Sequence, residues 1–378
     1  MNYCKICLNV DTRPGSKFPE KNLCSPCYYL RENKKVDYNA RLELLKELIK
    51  TFPKFPRRRF DCIIGVSGGK DSTRQAIWIR DKLKLRPLLV SLTYPPEQIT
   101  KIGANNLSNL IKLGFDVHTL TLSPVTWKEL AKASFFKYGN YLKHSECAIL
   151  AAVPRLAIRY RIPIIFWGEN PAETFGDVRT TASKGYNGNN LKYMNTVAGG
   201  TLDWIKEIGY SFNKIFPFEY PSSEEFEKHK IQIFYLSWFW NDWSIINNAN
   251  YSIPEGLEIR EDSLKNTQDL WGVFSLDEDW VTFNQMFKYY KYGFGRVSDY
   301  VNEEIRLGRM SRKEGIKLVE KYDGSVGDKY IKSFCKYIGI KKKEFWDVVY
   351  SYVNTDLFQI NNKKKITRKF KVGIGINE

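Results

Sequence analysis

Cys62-Ile63-Ile64-Gly65-Val66-Ser67-Gly68-Gly69-Lys70-Asp71-Ser72 decides the architecture of this chain. Its first half is short and apolar on both faces, the mark of a parallel strand covered on both sides. Gly68 and Gly69 then make a turn, and a helix is predicted from about Ser72 to Leu83. Consecutive glycines let backbone N–H groups approach an anion, and a helix N-terminus adds favourable partial charge. Lys70 supplies a cation, Ser67 and Ser72 supply hydroxyls, and Asp71 beside phosphates makes sense as a holder of Mg²⁺.

Three other motifs overlap this turn. A Walker A loop needs Ser or Thr after Gly-Lys, where this chain has Asp71. The glycine spacing fails the dinucleotide fingerprint. Gly65-x-Ser67-x-Gly69 does match a nucleophile elbow, but it follows the first strand. The three histidines, His118, His144 and His229, have no evident triad setting around Ser67.

Outward from the turn, strands are predicted at Leu88–Leu92, Val117–Leu120 and Ile164–Trp167. Helices are expected near 99–113, 126–137 and 145–160. The alternation predicts an α/β fold with a doubly wound parallel sheet, its site at the carboxyl ends of the strands. The fourth strand runs into Gly168-Glu169-Asn170, where Glu169 could share a metal or face an acceptor. The domains are read as 1–30 for the paired cysteines, 31–59 for a linker helix, 60–220 for the sheet and 221–378 for a mostly helical region. The linker carries Leu42, Leu45, Leu48 and Ile49 on one face, then a Pro53–Pro56 break and Arg57-Arg58-Arg59. Tyr235, Trp238, Phe239, Trp240 and Trp243 are expected mostly in the core, and 296–353 as three amphipathic helices.

Cys4-x-x-Cys7 and Cys24-x-x-Cys27, sixteen residues apart, fit a Cys₄ zinc ribbon with a structural Zn²⁺. Cys62 reads as a strand core residue, and Cys147 and Cys335 have no partner in sequence. The cysteine pattern, no apolar run after Met1 and no long apolar segment give the expectation of a cytoplasmic chain without a membrane span. The formal net charge of +17 fits a lysine-rich surface, or attraction to anions such as ATP, a nucleotide sugar or RNA.

The run Ser67–Ser72 resembles the pyrophosphate loop (PP-loop) of the N-type ATP pyrophosphatases. That superfamily includes GMP, NAD and asparagine synthetases and tRNA thiolases, on an adenine nucleotide alpha-hydrolase fold. The resemblance implies that Ser67, Gly68, Gly69, Lys70, Asp71 and Ser72 hold the leaving pyrophosphate and Mg²⁺ of ATP. It places Ser91 and Thr93 against adenosine, and Lys70, Asp71, Glu169 and Asn170 in the chemistry, with Asp71 and Glu169 as Mg²⁺ ligands.

Two further blocks narrow it. Cys4 to Cys27, with Asp11-Thr12-Arg13-Pro14-Gly15, and Tyr292-Gly293-Phe294-Gly295-Arg296 through Asp299, Glu304-Ile305-Arg306 and Gly308 to Tyr322-Asp323-Gly324 resemble the N-acetyl sugar amidotransferases of bacterial lipopolysaccharide O-antigen and surface-glycan synthesis. The resemblance implies that an acetamido oxygen of an N-acetylated nucleotide sugar or nonulosonic acid is adenylylated, then displaced by ammonia to give an acetamidino group. No glutaminase motif surrounds any cysteine. The implied partners are therefore separate glutaminase and cyclase-like subunits, similar to imidazole-glycerol-phosphate synthase. Arg179, Arg296 and Arg306 are candidates for acidic groups of the acceptor. A tRNA-modifying PP-loop thiolase is the alternative, and nucleic acid is not the expected partner. A non-catalytic ATP-holding scaffold is the reading from another class.

Overall fold

The computed structural model describes residues 1–32, 36–52, 59–180, 185–194 and 202–376. Pro53–Pro56, Arg57 and Arg58 lie outside these residues. The strands β1 (Cys62–Gly65), β2 (Pro87–Leu92), β3 (Val117–Leu120), β4 (Ile164–Trp167) and β5 (Gln232–Tyr235) form one sheet in the order β3-β2-β1-β4-β5. Every pairing is parallel, with Ile63 opposite Leu88 on one side and Ile165 on the other.

The helices in chain order are α1 (Ser25–Glu32), α2 (Tyr38–Lys50), α3 (Lys70–Asp81), α4 (Lys101–Lys112), α5 (Pro124–Tyr138), α6 (Lys143–Tyr160) and α7 (Pro171–Thr174). Then come α8 (Asp203–Lys206), α9 (Phe212–Ile215), α10 (Ser223–His229), α11 (Ile245–Ser252) and α12 (Leu264–Thr267). The last five are α13 (Val281–Tyr292), α14 (Arg296–Arg306), α15 (Arg312–Tyr322), α16 (Asp328–Ile338) and α17 (Lys342–Ser351). A hairpin of β6 (Phe358–Ile360) and β7 (Ile366–Arg368) carries the basic tail.

The strand residues sort by parity, as a period of two demands. Cys62, Ile64, Leu89 and Phe166 pack with Leu45 of α2, Ala76 and Ile79 of α3 and Leu110 of α4. Ile63, Leu88, Val90 and Ile165 pack on the other face with Leu150, Val153 and Ala157 of α6. The sheet is therefore doubly wound. Strand order reverses at β1, so a crevice opens between the carboxyl ends of β1 and β4.

Two expectations change. The sheet does not end at residue 220: the mostly helical region beyond supplies β5, whose Ile233 and Tyr235 are buried beside β4. Gln232–Tyr235 is too short and too aromatic for its period to separate strand from helix. The segment 296–353 holds four helices, α14 to α17, because Leu307-Gly308, Asp323-Gly324 and Gly339 each close a helix within it.

The paired-cysteine segment does not stand apart. Tyr3, Leu8 and Val10 share a core with Val297 and Val301 of α14, Val319 of α15 and Phe358 and Phe370 of the hairpin. The Leu8 N–H donates to Asn302 Oδ1 at 2.7 Å. Among the described residues no helix is long and apolar enough to cross a membrane.

Candidate active site

The turn after β1 is built as its glycines require. Gly68 has φ +83°, and a Cβ there would lie 2.7 Å from the backbone of Asn106 and Leu107 in α4. Gly68→Ala should destabilise the fold by about 2 kcal/mol or more, from the left-handed backbone plus that contact. Chemical denaturation would measure it.

No side chain caps α3 at Gly69, so the N–H groups of its first turn are free of a side-chain acceptor. Ser72 Oγ donates to the Gly69 carbonyl at 3.0 Å and Thr73 Oγ1 to that of Gly68 at 3.2 Å. Lys70 is buried, its ammonium 2.7 Å from Asp71 Oδ2 and 4.4 Å from the centre of the Phe274 ring. Asp71 is half-exposed, and its other oxygen accepts from Asn248 Nδ2 at 2.6 Å. Arg74 fixes that amide by donating to Asn248 Oδ1 at 2.7 Å.

Two cavities border this turn and a third adjoins them. A cleft of about 210 Å³ lies at the switch point and is walled by Ser67, Asp71, Ser72, Val90, Leu92 and Gly168. A central cavity of about 150 Å³ joins Lys70, Asp71 and Glu169 to Asn302, Glu303 and Arg306 of α14 and to Asn9 and Arg13 of the cysteine segment. The largest of the three, about 460 Å³, lies beyond Arg13 and Phe175 under α13. Trp243 borders the first two and packs so closely on Gly168 that a Cβ there would meet its ring at 2.7 Å.

Glu169 is half-buried, and its carboxyl is raised to about 7, by burial first and by the Asp71 charge next. A divalent cation between the two would relieve that repulsion. Among the described residues, Asp71, Glu169 and Glu303 do not converge as closely as the cysteines do. A cation here would take its remaining oxygens from phosphates and water, as Mg²⁺ commonly does.

Some expected site residues lie elsewhere. Asn170 is buried and borders none of the three cavities: its Oδ1 caps α7 through Ala172 N–H at 3.0 Å and its Nδ2 donates to the Gly185 carbonyl at 2.9 Å. Ser91 and Thr93 share the parity of Leu89, so Val90 and Leu92 face the cleft instead. Ser67 has no histidine beside it: His118 meets the Tyr160 hydroxyl, His144 packs on Trp127 and His229 ends α10.

The cysteines divide cleanly. The sulfurs of Cys4, Cys7, Cys24 and Cys27 all lie within 4.8 Å of one another and are buried. Cys7 and Cys24 sulfurs are 3.6 Å apart, close to the ~3.8 Å edge of a tetrahedron with 2.3 Å zinc–sulfur bonds. The Asn9 N–H donates to Cys7 Sγ at 3.3 Å, and Arg306 lends positive charge. This set could hold a metal ion. Cys62, Cys147 and Cys335 are buried in three separate hydrophobic cores. Burial pushes the Cys147 thiol up to about 12, the opposite of an activated nucleophile.

The two outer sequence blocks meet at the largest cavity. Arg13 Nη2 pairs with Asp299 Oδ1 at 2.5 Å, and Lys288 Nζ pairs with Asp299 Oδ2 at 2.6 Å. The Arg13 guanidinium also lies 4.0 Å from the Phe294 ring centre, and that of Arg296 lies 3.7 Å from Phe274. Against burial, Lys288, Arg13 and Arg296 hold Asp299 below the usual carboxylate range. Burial brings Lys288 down to about 8. Three cations gather around one carboxylate here, a local cluster in a cavity whose lining also includes Lys291 and the carboxylates Glu146, Asp177, Asp277 and Glu278. Arg179 pairs with Asp177 at 2.6 Å and borders none of the three cavities. Asp323 accepts from Gly295 N–H at 2.8 Å and Val297 N–H at 2.9 Å, capping α14 from outside it.

Comparison with known proteins bears on this half of the site. Residues 266–371 match the family of the LPS biosynthesis protein WbpG-like, C-terminal domain. That segment carries Phe274, Lys288, Phe294, Arg296 and Asp299. No curated protein matches the chain. Among solved structures, the NMN synthetase from Francisella tularensis is 17% identical, covering 61% of this chain and 99% of its own, with a TM-score of 0.28. The U34-tRNA thiolase NcsA from Methanococcus maripaludis, solved with its 4Fe–4S cluster, is 12% identical. It covers 89% of this chain and 95% of its own, with a TM-score of 0.26. Both scores are too low to relate the folds in detail.

Proposed function

We propose that this chain is an ATP-dependent amidotransferase of lipopolysaccharide or other surface-glycan synthesis. It adenylylates the acetamido oxygen of an N-acetylated sugar nucleotide or nonulosonic acid, and ammonia displaces AMP to leave an acetamidino group. The observation that carries this reading is the junction of cavities: the cleft at Ser67–Ser72 opens through Asp71 and Glu169 toward a larger cavity that presents the Arg13, Lys288 and Arg296 cluster. The match of residues 266–371 to a domain of lipopolysaccharide biosynthesis supports a glycan acceptor.

In this reading, the free N–H groups of α3, Ser67, Ser72 and Lys70 receive the pyrophosphate, and Asp71 and Glu169 would hold a Mg²⁺ ion, which would supply positive charge to the phosphates. Arg13, Lys288 and Arg296 attract the anionic part of the acceptor. A neutral amide is a poor electrophile, and adenylylation turns its oxygen into a leaving group. Charge on the departing pyrophosphate is offset by groups already in place. The reaction belongs in the cytoplasm, with ammonia from separate glutaminase and cyclase-like subunits. The tRNA thiolase alternative would want sulfur-handling cysteines at the cleft. Among the described residues the three cysteines outside the four-cysteine cluster lie in hydrophobic cores.

The test is mass spectrometry of UDP-linked diacetamido-uronic acid, and of free and CMP-linked nonulosonic acids, incubated with the chain, ATP, Mg²⁺ and ammonium. The expected product is lighter by the difference between oxygen and an NH group, with one AMP per product. Glutamine should not replace ammonium for the isolated chain. Release of ADP and orthophosphate would overturn the reading.

A further inference from the structure

We infer that Asp277 is the proton acceptor of the amination step, receiving a proton from the nitrogen that attacks the adenylylated acceptor. The inference rests on the function proposed above and deepens it. Asp277 and Ile149 are the two residues that border both the nucleotide cleft and the large cavity, and Asp277 is the ionisable one. An acetamido oxygen that passes directly from the large cavity to the α-phosphorus crosses this junction, alongside the route through the central cavity. Its carbon, where the amine adds, is one bond further on.

The position is fixed by backbone and not by the carboxylate. Asp277 accepts the Thr100 N–H at 3.0 Å through its carbonyl, and Ile99 bridges to Glu278. Gly103 of α4 lies so close that a Cβ there would meet Asp277 Cα at 2.4 Å. No side chain among the described residues donates a hydrogen bond to the Asp277 carboxyl. Its neighbour differs: Glu278 takes the Tyr141 hydroxyl at 2.6 Å and the N–H groups of Trp280 and Val281 at 2.9 Å, and is spent on structure. Among the described residues the Asp277 carboxyl has only its own backbone N–H to accept from, and the residue borders two cavities.

The charged and titratable groups that act on it are Arg260 within its own segment, the adjacent Glu278, Tyr94 beyond β2, and Tyr141 between α5 and α6. Glu146 of α6 borders the same large cavity. Burial outweighs Arg260 and brings the Asp277 carboxyl up to about 6. That value leaves it ionised at neutral pH and close enough to accept and release a proton in turn.

The step balances as follows. The acetamido oxygen displaces pyrophosphate from the α-phosphorus, giving an O-adenylyl imidate protonated on nitrogen. The ammonia lone pair forms a C–N bond at the imidate carbon. The new –NH₃⁺ group gives one proton to Asp277. The C–O bond then breaks, its electron pair leaving on AMP, and the product is an amidinium. Asp277 returns its proton to solvent, and as a carboxylate it suits both the cationic imidate and the cationic product.

The experiment compares wild type, Asp277→Asn and Asp277→Glu with UDP-linked diacetamido-uronic acid, ATP, Mg²⁺ and ammonium. It reads acceptor-dependent exchange of labelled pyrophosphate into ATP and, separately, amidine formation. Asp277→Asn should keep exchange within about threefold of wild type and lose amidine formation by about a hundred-fold or more. The residual rate should lose its acid limb near pH 6, and Asp277→Glu should recover part of both. Equal amidine formation by Asp277→Asn, or a parallel fall in exchange and amidine, would overturn the assignment. Wild type that exchanges pyrophosphate but makes no amidine would overturn the amination chemistry itself. Wild type that does neither would overturn the adenylylation reading and this inference with it.

Discussion

Replacing Asp71 by asparagine is expected to lower AMP formation by about a thousand-fold or more while leaving the protein folded. Two effects separate. For the fold, the lost partner is a half-exposed carboxylate, and screening limits such an ion pair to about 1 kcal/mol or less. Asn248 Nδ2, now 2.6 Å from Asp71 Oδ1, keeps an oxygen to donate to in the variant. The Lys70 ammonium keeps the Phe274 ring face 4.4 Å away. For the chemistry, the carboxylate is the closest anionic oxygen to the pyrophosphate turn. An amide in its place would remove the negative charge proposed to hold a divalent cation against the departing phosphates. Charge stabilisation by a single preorganised group is commonly worth a hundred- to a thousand-fold in rate, and a metal ligand supports several such contacts at once. The measurement pairs AMP release with a thermal melt. AMP release near the wild-type rate from a folded Asp71→Asn protein would remove the metal from the proposed mechanism.

The half of the site that contains Asp71 was legible in sequence because it is local. The strand, the glycine turn and the helix of residues 62–81 all lie within one short window. The parity of hydrophobic residues in β1, β2 and β4 dictates a sheet covered on both sides, and the switch point follows from strand order. What failed was also physical. The end of β2 does border the cleft, but strand parity turns Val90 and Leu92 to it and not Ser91 and Thr93. Asn170 was chosen for its place at a strand end, where it serves as a helix cap. β5 was missed because a four-residue strand with two aromatics has no period to detect.

The other half was legible only in pieces. Arg13 and Asp299 stand in two motifs 286 residues apart, and nothing in either motif says that they form an ion pair. Asn248 and Phe274 lie outside every motif and enter the site only through contacts with Asp71 and Lys70. Asp323 looks like part of a catalytic signature, yet it caps α14 and thereby sets where Arg296 and Asp299 point. Asp277 carries no motif at all. Its meaning comes from the packing of its segment against α4, which no local pattern encodes.

Removing one sulfur from the four-cysteine cluster, as in Cys24→Ser, is expected to abolish activity at a distance from the phosphates as well as to destabilise the chain. The wild-type protein should carry about one zinc per chain, and the variant well under that. Structural zinc in small cysteine sites contributes an apparent ~10–16 kcal/mol, comparable to the whole stability of a typical domain at ~5–15 kcal/mol. The core that Tyr3, Leu8 and Val10 share with α14 and α15 holds one side of the segment, so the loss should fall on the loop between the cysteine pairs.

The consequence for function comes from what lies between the ligands. Leu8, Asn9 and Arg13 occupy the stretch from Cys7 to Cys24, and Asn9 Oδ1 accepts from Arg13 Nε at 2.8 Å. Arg13 in turn holds Asp299 and stacks on Phe294 in the wall of the large cavity. Losing the metal therefore frees the guanidinium proposed to attract the acceptor, and the Leu8–Asn302 bond that seats α14. Metal analysis, thermal melting and limited proteolysis of the N-terminal segment would read the structural loss. Raising the acceptor concentration for Arg13→Ala, which leaves the sulfurs intact, would show whether the functional loss is one of acceptor affinity. If Cys24→Ser kept its zinc, its melting temperature and its turnover, the cluster would be neither a metal site nor a support for the cavity wall.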